Sequence, residues 1–243
     1  MDSPQNRRNV IVSGASRGLG LGIAKKLAAN GYRVIALARK ESDEARALAG
    51  DAFRFIPFDL ADIEAIPELV RGIKAEHGAL YGLVNNAALG TEGLLSNMHN
   101  SQIETLIRVN TLSPIVLTKY VVRSMMTAGE GRIVNIASII GATGYSGLSV
   151  YGATKASMIG FTRSLAREVG RLGVTVNAIA PGFIDTQMTS GMSPAERDKI
   201  ANRSALRRLA EVEDVANAAL YLLGDGGRNI TGTVMTVDAG NTA

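Results

Sequence analysis

Short apolar segments rich in Val, Ile and Leu recur along the chain and are separated by stretches with helical spacing. Seven segments have the length and composition of buried strands: residues 9–13, 33–38, 52–57, 80–85, 131–138, 174–179 and 233–237. Between the first two, residues 20–29 place Ile23, Leu27 and small alanines on one helical face. Strands that alternate with helices in this way predict an α/β fold, with a seven-stranded parallel sheet covered by helices on both faces.

The series runs without a break, so we expect a single domain over residues 1–243. No Pro-rich or Ser-rich linker and no internal repeat interrupts it, and α/β folds of roughly 250 residues often form one unit. The stretch after residue 179 mixes turn residues with isolated apolar ones. This mixture predicts a mobile substrate loop at about residues 182–200, with a helix beginning near Pro194.

Two predicted helices, residues 106–126 and 150–172, are longer than average and carry apolar or small residues on more than one face. A helix that is apolar on two sides has to be covered twice. The sheet covers one side, and we expect another subunit to cover the other. The pattern therefore predicts an oligomer.

Composition argues against several kinds of site. The chain has no cysteine, which excludes disulfides and thiolate chemistry, and its two histidines, His77 and His99, lack the spacing of metal ligands. The net charge is +4, but the basic residues are dispersed and only 5% of residues are aromatic, which disfavours nucleic-acid binding. No segment approaches the roughly 20 apolar residues of a membrane span, and the polar start is not a signal peptide. We expect a cytoplasmic protein without a metal site, a membrane anchor or a nucleic-acid partner.

A glycine-rich turn follows the first predicted strand and opens the first helix. Gly14, Gly18 and Gly20 form the pattern Gly-x-x-x-Gly-x-Gly. Glycines permit a tight turn and let backbone N–H groups approach a pyrophosphate, whose negative charge is favoured at a helix N-terminus. Because the turn lies between a strand and a helix, it predicts a dinucleotide-binding site.

The residues after the second strand indicate which dinucleotide is bound. An NAD-preferring fold of this type places an Asp or Glu there to bind the ribose hydroxyls, whereas this chain has Arg39-Lys40. Arg39, and Arg17 inside the glycine turn, suit a 2′-phosphate because a guanidinium forks onto phosphate oxygens. The alternative is that both arginines are simply solvated. We expect NADP(H).

A second group of residues carries acid–base chemistry. Tyr151 and Lys155 lie at positions i and i+4, and Ser138 ends an earlier strand. On a helix, such positions share a face, so the Lys155 ammonium can approach the Tyr151 phenol. At roughly 4 Å the ammonium would bring the pKa of the phenol from about 10 toward neutrality, where an acid–base catalyst works best.

In their order and spacing, these motifs resemble the short-chain dehydrogenase/reductase family over essentially the whole chain. Asp59-Leu60 is similar to the adenine contact of that family, Asn85-Asn86-Ala87-Ala88 to its Asn-Asn-Ala-Gly motif, and Pro181-Gly182 to the turn beside the nicotinamide. The resemblance implies a single-domain Rossmann fold. Ala88 departs from the pattern because it adds a methyl group where the family usually has Gly in a tight loop.

The resemblance also implies the residues of the site. The catalytic tetrad is Asn110, Ser138, Tyr151 and Lys155. The implied cofactor contacts are Gly14, Ser16, Arg17, Gly18, Leu19, Gly20, Arg39, Asp59, Leu60, Asn86, Ala87, Tyr151, Lys155, Pro181, Gly182, Ile184 and Thr186. In the implied reaction, Tyr151 donates a proton to the substrate oxygen and Ser138 hydrogen-bonds that oxygen. Lys155 lowers the pKa of Tyr151 and holds the nicotinamide ribose, and Asn110 positions a water in a proton relay.

Stretches around Ser138, residues 164–169, Pro181 and Thr231 are similar to bacterial 3-oxoacyl-[acyl-carrier-protein] reductases. This similarity implies NADPH-dependent reduction of a 3-oxoacyl group on acyl carrier protein in fatty acid synthesis, by a homotetramer. Gly129-Glu130 departs from the pattern, since such reductases often place basic residues there to dock the carrier. Arg123 and Arg171 remain as docking candidates, or are solvated charges at helix ends.

Three other functions stay open. One is the same chemistry on another small ketone or alcohol. Another is a dinucleotide-binding protein without catalysis, which the complete tetrad argues against. The third is NAD-dependent oxidation of a hydroxy compound, which Arg39 and the missing acidic residue argue against.

Overall fold

The computed structural model describes residues 7–91, 93–184 and 193–243, and these contain one seven-stranded sheet in which all neighbouring strands are parallel. The strands are β1 (Asn9–Ser13), β2 (Arg33–Ala38), β3 (Phe53–Pro57), β4 (Leu80–Asn85), β5 (Gly131–Ile136), β6 (Val174–Pro181) and β7 (Val234–Val237). Their order across the sheet is β3-β2-β1-β4-β5-β6-β7. The predicted α/β fold is therefore confirmed.

Helices cover both faces of this sheet. They are α1 (Gly18–Ala29), α2 (Asp43–Arg46), α3 (Ile66–His77), α4 (Asn100–Ile107), α5 (Ser113–Ala128), α6 (Ser149–Val169), α7 (Pro194–Arg203) and α8 (Val212–Leu223). Along β1, Val10 and Val12 belong to a hydrophobic cluster with α1 and α8, whereas Ile11 belongs to a cluster with α3, α5 and α6. Successive strand residues point to opposite faces, so one strand supplies both cores. None of the helices in the described ranges is long and apolar enough to cross a membrane.

The two larger differences from the predicted strands are in β5 and β6, whereas β3 and β7 only begin one residue later than predicted. β5 ends at Ile136 because Ser138 starts a 3₁₀ turn, in which its Oγ accepts a hydrogen bond from Ile140 N at 3.2 Å. β6 continues to Pro181 because it pairs with β7 as far as Pro181 and Val237. Both differences lie at the carboxyl ends of the strands, where the chain leaves the sheet.

The prediction of one continuous helix over residues 106–126 is wrong. α4 ends at Ile107, a π-helical segment covers Arg108–Leu112, and α5 begins at Ser113. Pro114, in the first turn of α5, lacks the N–H that a continuous α-helix would donate to the carbonyl of Asn110. The apolar spacing continues through the interruption, so periodicity alone does not reveal it.

The predicted substrate loop falls partly on described residues. Residues 185–192 lie outside them. α7 begins at Pro194, where the sequence predicts a helix, and Ser193 caps it by accepting a hydrogen bond from Glu196 N at 3.3 Å. Residues 194–200 of the predicted loop are therefore helical, because a proline in the first turn and a capping box favour a helix start.

Candidate active site

The predicted site residues come together at the carboxyl ends of the strands. From β1 the chain runs outward to β3 and then crosses back to β4, so the strand order reverses between β1 and β4. In open parallel sheets, ligands bind beside such a reversal. The loops after the first four strands carry most of the predicted dinucleotide contacts, and those after β5 and β6 carry Ser138 and Gly182.

Asn86 holds the glycine turn against the end of β4. Its Nδ2 donates hydrogen bonds to the carbonyls of Ser13 at 2.9 Å and Gly14 at 3.3 Å. Gly14 has a φ of +68°, and a Cβ there would lie 2.8 Å from Ala87 Cα. A Cβ at Gly20 would overlap the carbonyl oxygen of Gly14. Both positions therefore require glycine, which keeps the backbone open to close approach by a ligand.

The first turn of α1 offers backbone N–H groups to an anion. Arg17 precedes the helix with an extended backbone, and its side chain does not cap the helix. The N–H groups at a helix start have no intrahelical acceptor and favour negative charge. Together with Ser16, the residues Gly18, Leu19 and Gly20 fit the pyrophosphate of a dinucleotide.

Ser42, which the sequence interpretation missed, joins the glycine turn to the segment after β2. Its Oγ donates a hydrogen bond to the carbonyl of Ser16 at 2.5 Å and accepts one from Ala45 N at 3.0 Å. The two joined segments carry Arg17 and Arg39, which are both exposed. A serine before a short helix is a recognisable N-cap signal, but only the fold shows that it contacts the glycine turn. The two guanidiniums fit a 2′-phosphate.

Two further loops border this side of the site. After β3, Asp59 is exposed and its Oδ1 accepts a hydrogen bond from Ala61 N at 3.0 Å, whereas the Leu60 side chain is buried. After β4, Ala88 occupies the position of the glycine in the family pattern. Its φ is not positive, so the added methyl group does not strain the backbone.

The turn after β6 closes the other side of the site. Gly182 N donates a hydrogen bond to the carbonyl of Val237 at 2.9 Å, which holds the turn that follows Pro181 against β7. Ile184 is buried. Thr186, the last predicted cofactor contact, lies outside the described residues.

Ser138, Tyr151 and Lys155 converge where β5 ends and α6 begins. Lys155 Nζ lies 5.7 Å from the centroid of the Tyr151 ring and donates a hydrogen bond to the carbonyl of Ile136 at 2.8 Å. Lys155 is buried and so is Ser138, whereas Tyr151 is half-buried. The ammonium thus lies beneath the phenol ring and is bound to the strand that leads to Ser138.

The pKa values of this group follow from burial. Burial lowers the pKa of Lys155 to about 8 and raises the pKa of Tyr151, because a low dielectric disfavours either charged form. Hydrogen bonding by the Ser138 side chain opposes the rise in the pKa of Tyr151. The net direction is opposite to the lowering that the spacing from Lys155 alone predicts.

Asn110 is buried in the π-helical segment, and its carboxamide is occupied by neighbouring groups. Oδ1 accepts a hydrogen bond from Leu89 N at 2.8 Å, and Nδ2 donates to Leu89 O at 2.9 Å and to Thr154 Oγ1 at 3.2 Å. Thr154 Oγ1 in turn donates to the carbonyl of Tyr151 at 2.8 Å. Thr154 was missed because the positions between Tyr151 and Lys155 carry no pattern of their own. It links Asn110 to the helix that bears both residues.

The arrangement is suited to proton transfer at a carbonyl oxygen. Ser138 and Tyr151 offer two hydroxyl groups, and the Lys155 ammonium provides positive charge beneath them. The glycine turn and the start of α1 lie at the same end of the sheet. In the part of the chain that the structure describes, no group of histidine and acidic residues is arranged to hold a metal ion.

Comparison with known proteins agrees with this arrangement. A family model described as enoyl-(acyl carrier protein) reductase matches residues 14–242. The chain is 39% identical over 233 residues to the 3-oxoacyl-[acyl-carrier-protein] reductase FabG of Escherichia coli (strain K12), with 95% of each chain covered. It is 38% identical over 232 residues to the FabG of Haemophilus influenzae (strain ATCC 51907 / DSM 11121 / KW20 / Rd), which covers 95% of this chain and 96% of that protein.

Solved structures show the same similarity. A short chain dehydrogenase from Burkholderia cenocepacia J2315 in complex with NADP has a TM-score of 0.89 and 34% identity, covering 99% of this chain and 100% of that one. ElxO with NADP bound has a TM-score of 0.90 and 30% identity, covering 97% of this chain and 99% of that one. The chain belongs to the short-chain dehydrogenase/reductase family of oxidoreductases.

Proposed function

We propose that this protein reduces a ketone to a secondary alcohol with NADPH, and that the ketone is a 3-oxoacyl group on acyl carrier protein. The observation that carries the proposal is the convergence of Ser138, Tyr151 and Lys155 at the end of β5. The names of the Escherichia coli and Haemophilus influenzae relatives support the substrate. The product is the 3-hydroxyacyl group of fatty acid synthesis.

In this reaction Tyr151 donates its proton to the substrate oxygen. Burial raises the pKa of Tyr151 and so keeps the phenol protonated until the oxygen becomes basic. The Ser138 hydroxyl donates a hydrogen bond to the same oxygen and stabilises the negative charge that develops there. NADPH, when bound, supplies the hydride.

Lys155 and Asn110 support the proton transfer without contacting the substrate oxygen. With a pKa of about 8, Lys155 is charged at pH 7, and its charge stabilises the phenolate that Tyr151 becomes. Lys155 also holds the nicotinamide ribose. Because Leu89 and Thr154 occupy the carboxamide of Asn110, the water of the proposed relay binds the main-chain carbonyl of Asn110 instead.

NADP(H) fits the residues at the dinucleotide side of the site. The glycine turn and the start of α1 would hold the pyrophosphate, and Arg17 and Arg39 would hold the 2′-phosphate. The NADP named for ElxO and for the Burkholderia cenocepacia enzyme supports this choice. NAD-dependent oxidation of a hydroxy compound is disfavoured because no acidic residue directly follows β2.

An acidic carrier protein is favoured by the net charge of +4. Glu130 lies where the pattern expects a basic docking residue, and its negative charge is offset by two arginines. Arg8 Nη2 lies 3.1 Å from its Oε1, and Arg132 Nη2 lies 4.0 Å from the same oxygen. Arg123 and Arg171 are both exposed and supply positive charge for the carrier.

We also infer a homotetramer in the cytoplasm. Large apolar side chains are exposed at Ile107 (43%), Leu112 (42%), Met126 (39%) and Leu172 (36%), and further subunits would cover them. The absence of cysteine is compatible with a reducing compartment. The cytoplasmic location stays a prediction that fractionation of cells can test.

The proposal is tested with a panel of carbonyl substrates and both nicotinamide cofactors. The panel contains 3-oxoacyl thioesters on carrier protein and on coenzyme A, free small ketones, and a 2-enoyl thioester, because the family model is described as an enoyl reductase. We expect NADPH-dependent reduction of the 3-oxoacyl thioesters. With the carrier-bound substrate, kcat/KM should fall with salt more steeply than with a neutral ketone, because charge steers the encounter.

Other outcomes select the alternatives. Activity confined to free ketones, or equal salt slopes, would favour a reductase of small ketones. Reduction of the enoyl thioester alone would replace ketone reduction by enoyl reduction. Nucleotide binding without turnover of any substrate would indicate a dinucleotide-binding protein without catalysis.

A further inference from the structure

Two aromatic rings contact each other on the loops that follow β5 and β6. The centroids of Tyr145 and Phe183 are 5.9 Å apart and their planes make an angle of 59°, a tilted arrangement that aromatic pairs favour. Tyr145 lies in the loop between β5 and α6, which begins with Ser138 and leads to Tyr151. Phe183 follows Pro181 and Gly182 in the turn after β6.

Short-range hydrogen bonds place this pair near the reacting groups. β5 and β6 are still bonded at Ala137 N and Ile179 O (2.7 Å), directly before Ser138. Leu148 N donates to Tyr145 O at 3.2 Å, and Gly152 N donates to Leu148 O at 2.7 Å. These two turns carry the chain from Tyr145 into the start of α6. The aromatic pair therefore lies on the two loops that continue from the catalytic end of β5 and β6.

A third loop with exposed apolar residues is joined to the same place. Gly93 N donates a hydrogen bond to Gly147 O at 2.9 Å, and the next residues, Leu94 and Leu95, are 59% and 56% exposed. Tyr145 itself is 53% exposed. Single exposed apolar residues are ordinary, but three large ones on loops joined beside a catalytic group indicate a surface that binds an apolar ligand.

The described parts of these loops are also uncharged. Residues 93–97, 142–148 and 183–184 contain no Asp, Glu, Lys or Arg. A carboxylate or phosphate close to the reacting carbonyl would find no counter-charge on these segments, whereas an aliphatic chain would gain by burying their apolar surface. The composition favours a substrate whose chain beyond the carbonyl is neutral and apolar.

We propose that Tyr145 is a specificity-determining residue, which together with Phe183 binds the apolar chain that extends from the reacting carbonyl. The inference rests on the proposed function and narrows its substrate to ketones with a medium or long aliphatic chain. The contact is made by the ring, because Tyr145 is exposed and an aliphatic chain has no hydrogen-bond acceptor for the hydroxyl. Short ketones do not reach this contact.

The test compares two thioesters that differ only in chain length, 3-oxobutanoyl and 3-oxooctanoyl N-acetylcysteamine. In Tyr145→Ala we expect KM for the longer ester to rise about tenfold, with kcat and both constants for the shorter ester within about twofold of the wild-type values. Tyr145→Phe should behave like the wild type. Tyr221→Ala, which removes another exposed tyrosine (47%) on α8, is the matched control and should change neither ester.

Each result decides the inference. An equal effect on both esters, no effect on either, or a loss in Tyr145→Phe as large as in Tyr145→Ala would overturn it while leaving ketone reduction intact. If the wild type reduces neither ester, the same two chain lengths are compared on carrier protein, and if these are not reduced either, the proposed function fails and the inference falls with it. Thermal unfolding and turnover of the shorter ester report folding, and Tyr145→Asn replaces Tyr145→Ala should the latter not fold.

Discussion

The carboxamide of Asn110 pairs with both main-chain groups of Leu89, accepting from its N–H at 2.8 Å and donating to its carbonyl at 2.9 Å. The carboxamide bonds to the N–H and the carbonyl of one residue, as an adjacent β-strand would. These two bonds fix the loop after β4 to the π-helical segment. Since the same carboxamide reaches Thr154, the loop, the π-helical segment and α6 are held in one hydrogen-bonded unit.

Replacing Asn110 with Leu breaks this unit and leaves both Leu89 groups unpaired. We expect the free energy of unfolding to fall by about 2 kcal/mol or more, because the partly buried Leu89 groups keep part of their desolvation penalty when they are unpaired. Thr154→Val removes the bond from Asn110 to Thr154 and the bond from Thr154 to the Tyr151 carbonyl but leaves both Leu89 groups paired, and it should cost about 1 kcal/mol. Urea denaturation measures both, and an Asn110→Leu protein as stable as Thr154→Val would contradict the assignment.

Tyr151→Phe should abolish reduction while NADPH binding stays nearly intact, because the ring remains and only the proton donor is lost. The decrease in turnover should exceed about 100-fold, the usual contribution of general acid catalysis. Steady-state kinetics and titration of NADPH fluorescence measure the two effects. A variant that keeps more than about a tenth of wild-type turnover would show that another group donates the proton.

Arg39→Asp should weaken NADPH binding and shift the cofactor preference toward NADH. A carboxylate repels the 2′-phosphate but accepts hydrogen bonds from a free ribose hydroxyl. The measurement is the ratio of kcat/KM for the two cofactors. Arg228→Asp, the same charge change at an exposed position after α8, is the control, and an equal ratio in both variants would rule out a specific role for Arg39.

Lys155 should make stability depend on pH. Without nucleotide, burial lowers its pKa to about 8 from 10.5. Between these values the unfolded chain binds more protons, so the cost of burying the ammonium is complete below pH 8 and disappears as pH rises toward 10.5. From pH 7 to pH 10.5, the free energy of unfolding of the wild type should therefore rise by roughly 3 kcal/mol relative to Lys155→Met.

Denaturant unfolding of both proteins across this pH range tests the prediction. Lys119→Met, at an exposed position of α5, controls for the general effect of removing a lysine. If the difference between wild type and Lys155→Met did not change with pH, the ammonium would not be desolvated as the structure indicates.

The oligomer is tested by light scattering at micromolar concentration. We expect a mass about four times the 25.5 kDa of one chain. Leu112→Glu places a charge on the exposed apolar surface beside α5 and should shift the protein toward smaller species. A wild-type protein found only at 25.5 kDa would contradict the homotetramer.

Local sequence determined the parts of this protein that depend on short-range chemistry. Apolar runs with turn residues between them located all seven strands within a few residues, because buried parallel strands need continuous apolar side chains. The glycine turn was recognisable in the sequence because no side chain fits at Gly14 and Gly20, so the turn requires glycine at both positions. Tyr151 and Lys155 were recognisable because their spacing is that of one helical face.

Tertiary structure alone decided what depends on contacts between distant segments. Pro114 is a local signal for an interruption within residues 106–126, but the apolar spacing continues through it, so only the structure located the π-helical segment. Burial in the fold raises the pKa of Tyr151, opposite to the lowering that its spacing from Lys155 predicts. The hydrogen bond between Ser42 and Ser16 and the ring contact between Tyr145 and Phe183 each join segments far apart in sequence. No local pattern encodes such contacts, because the fold brings those residues together.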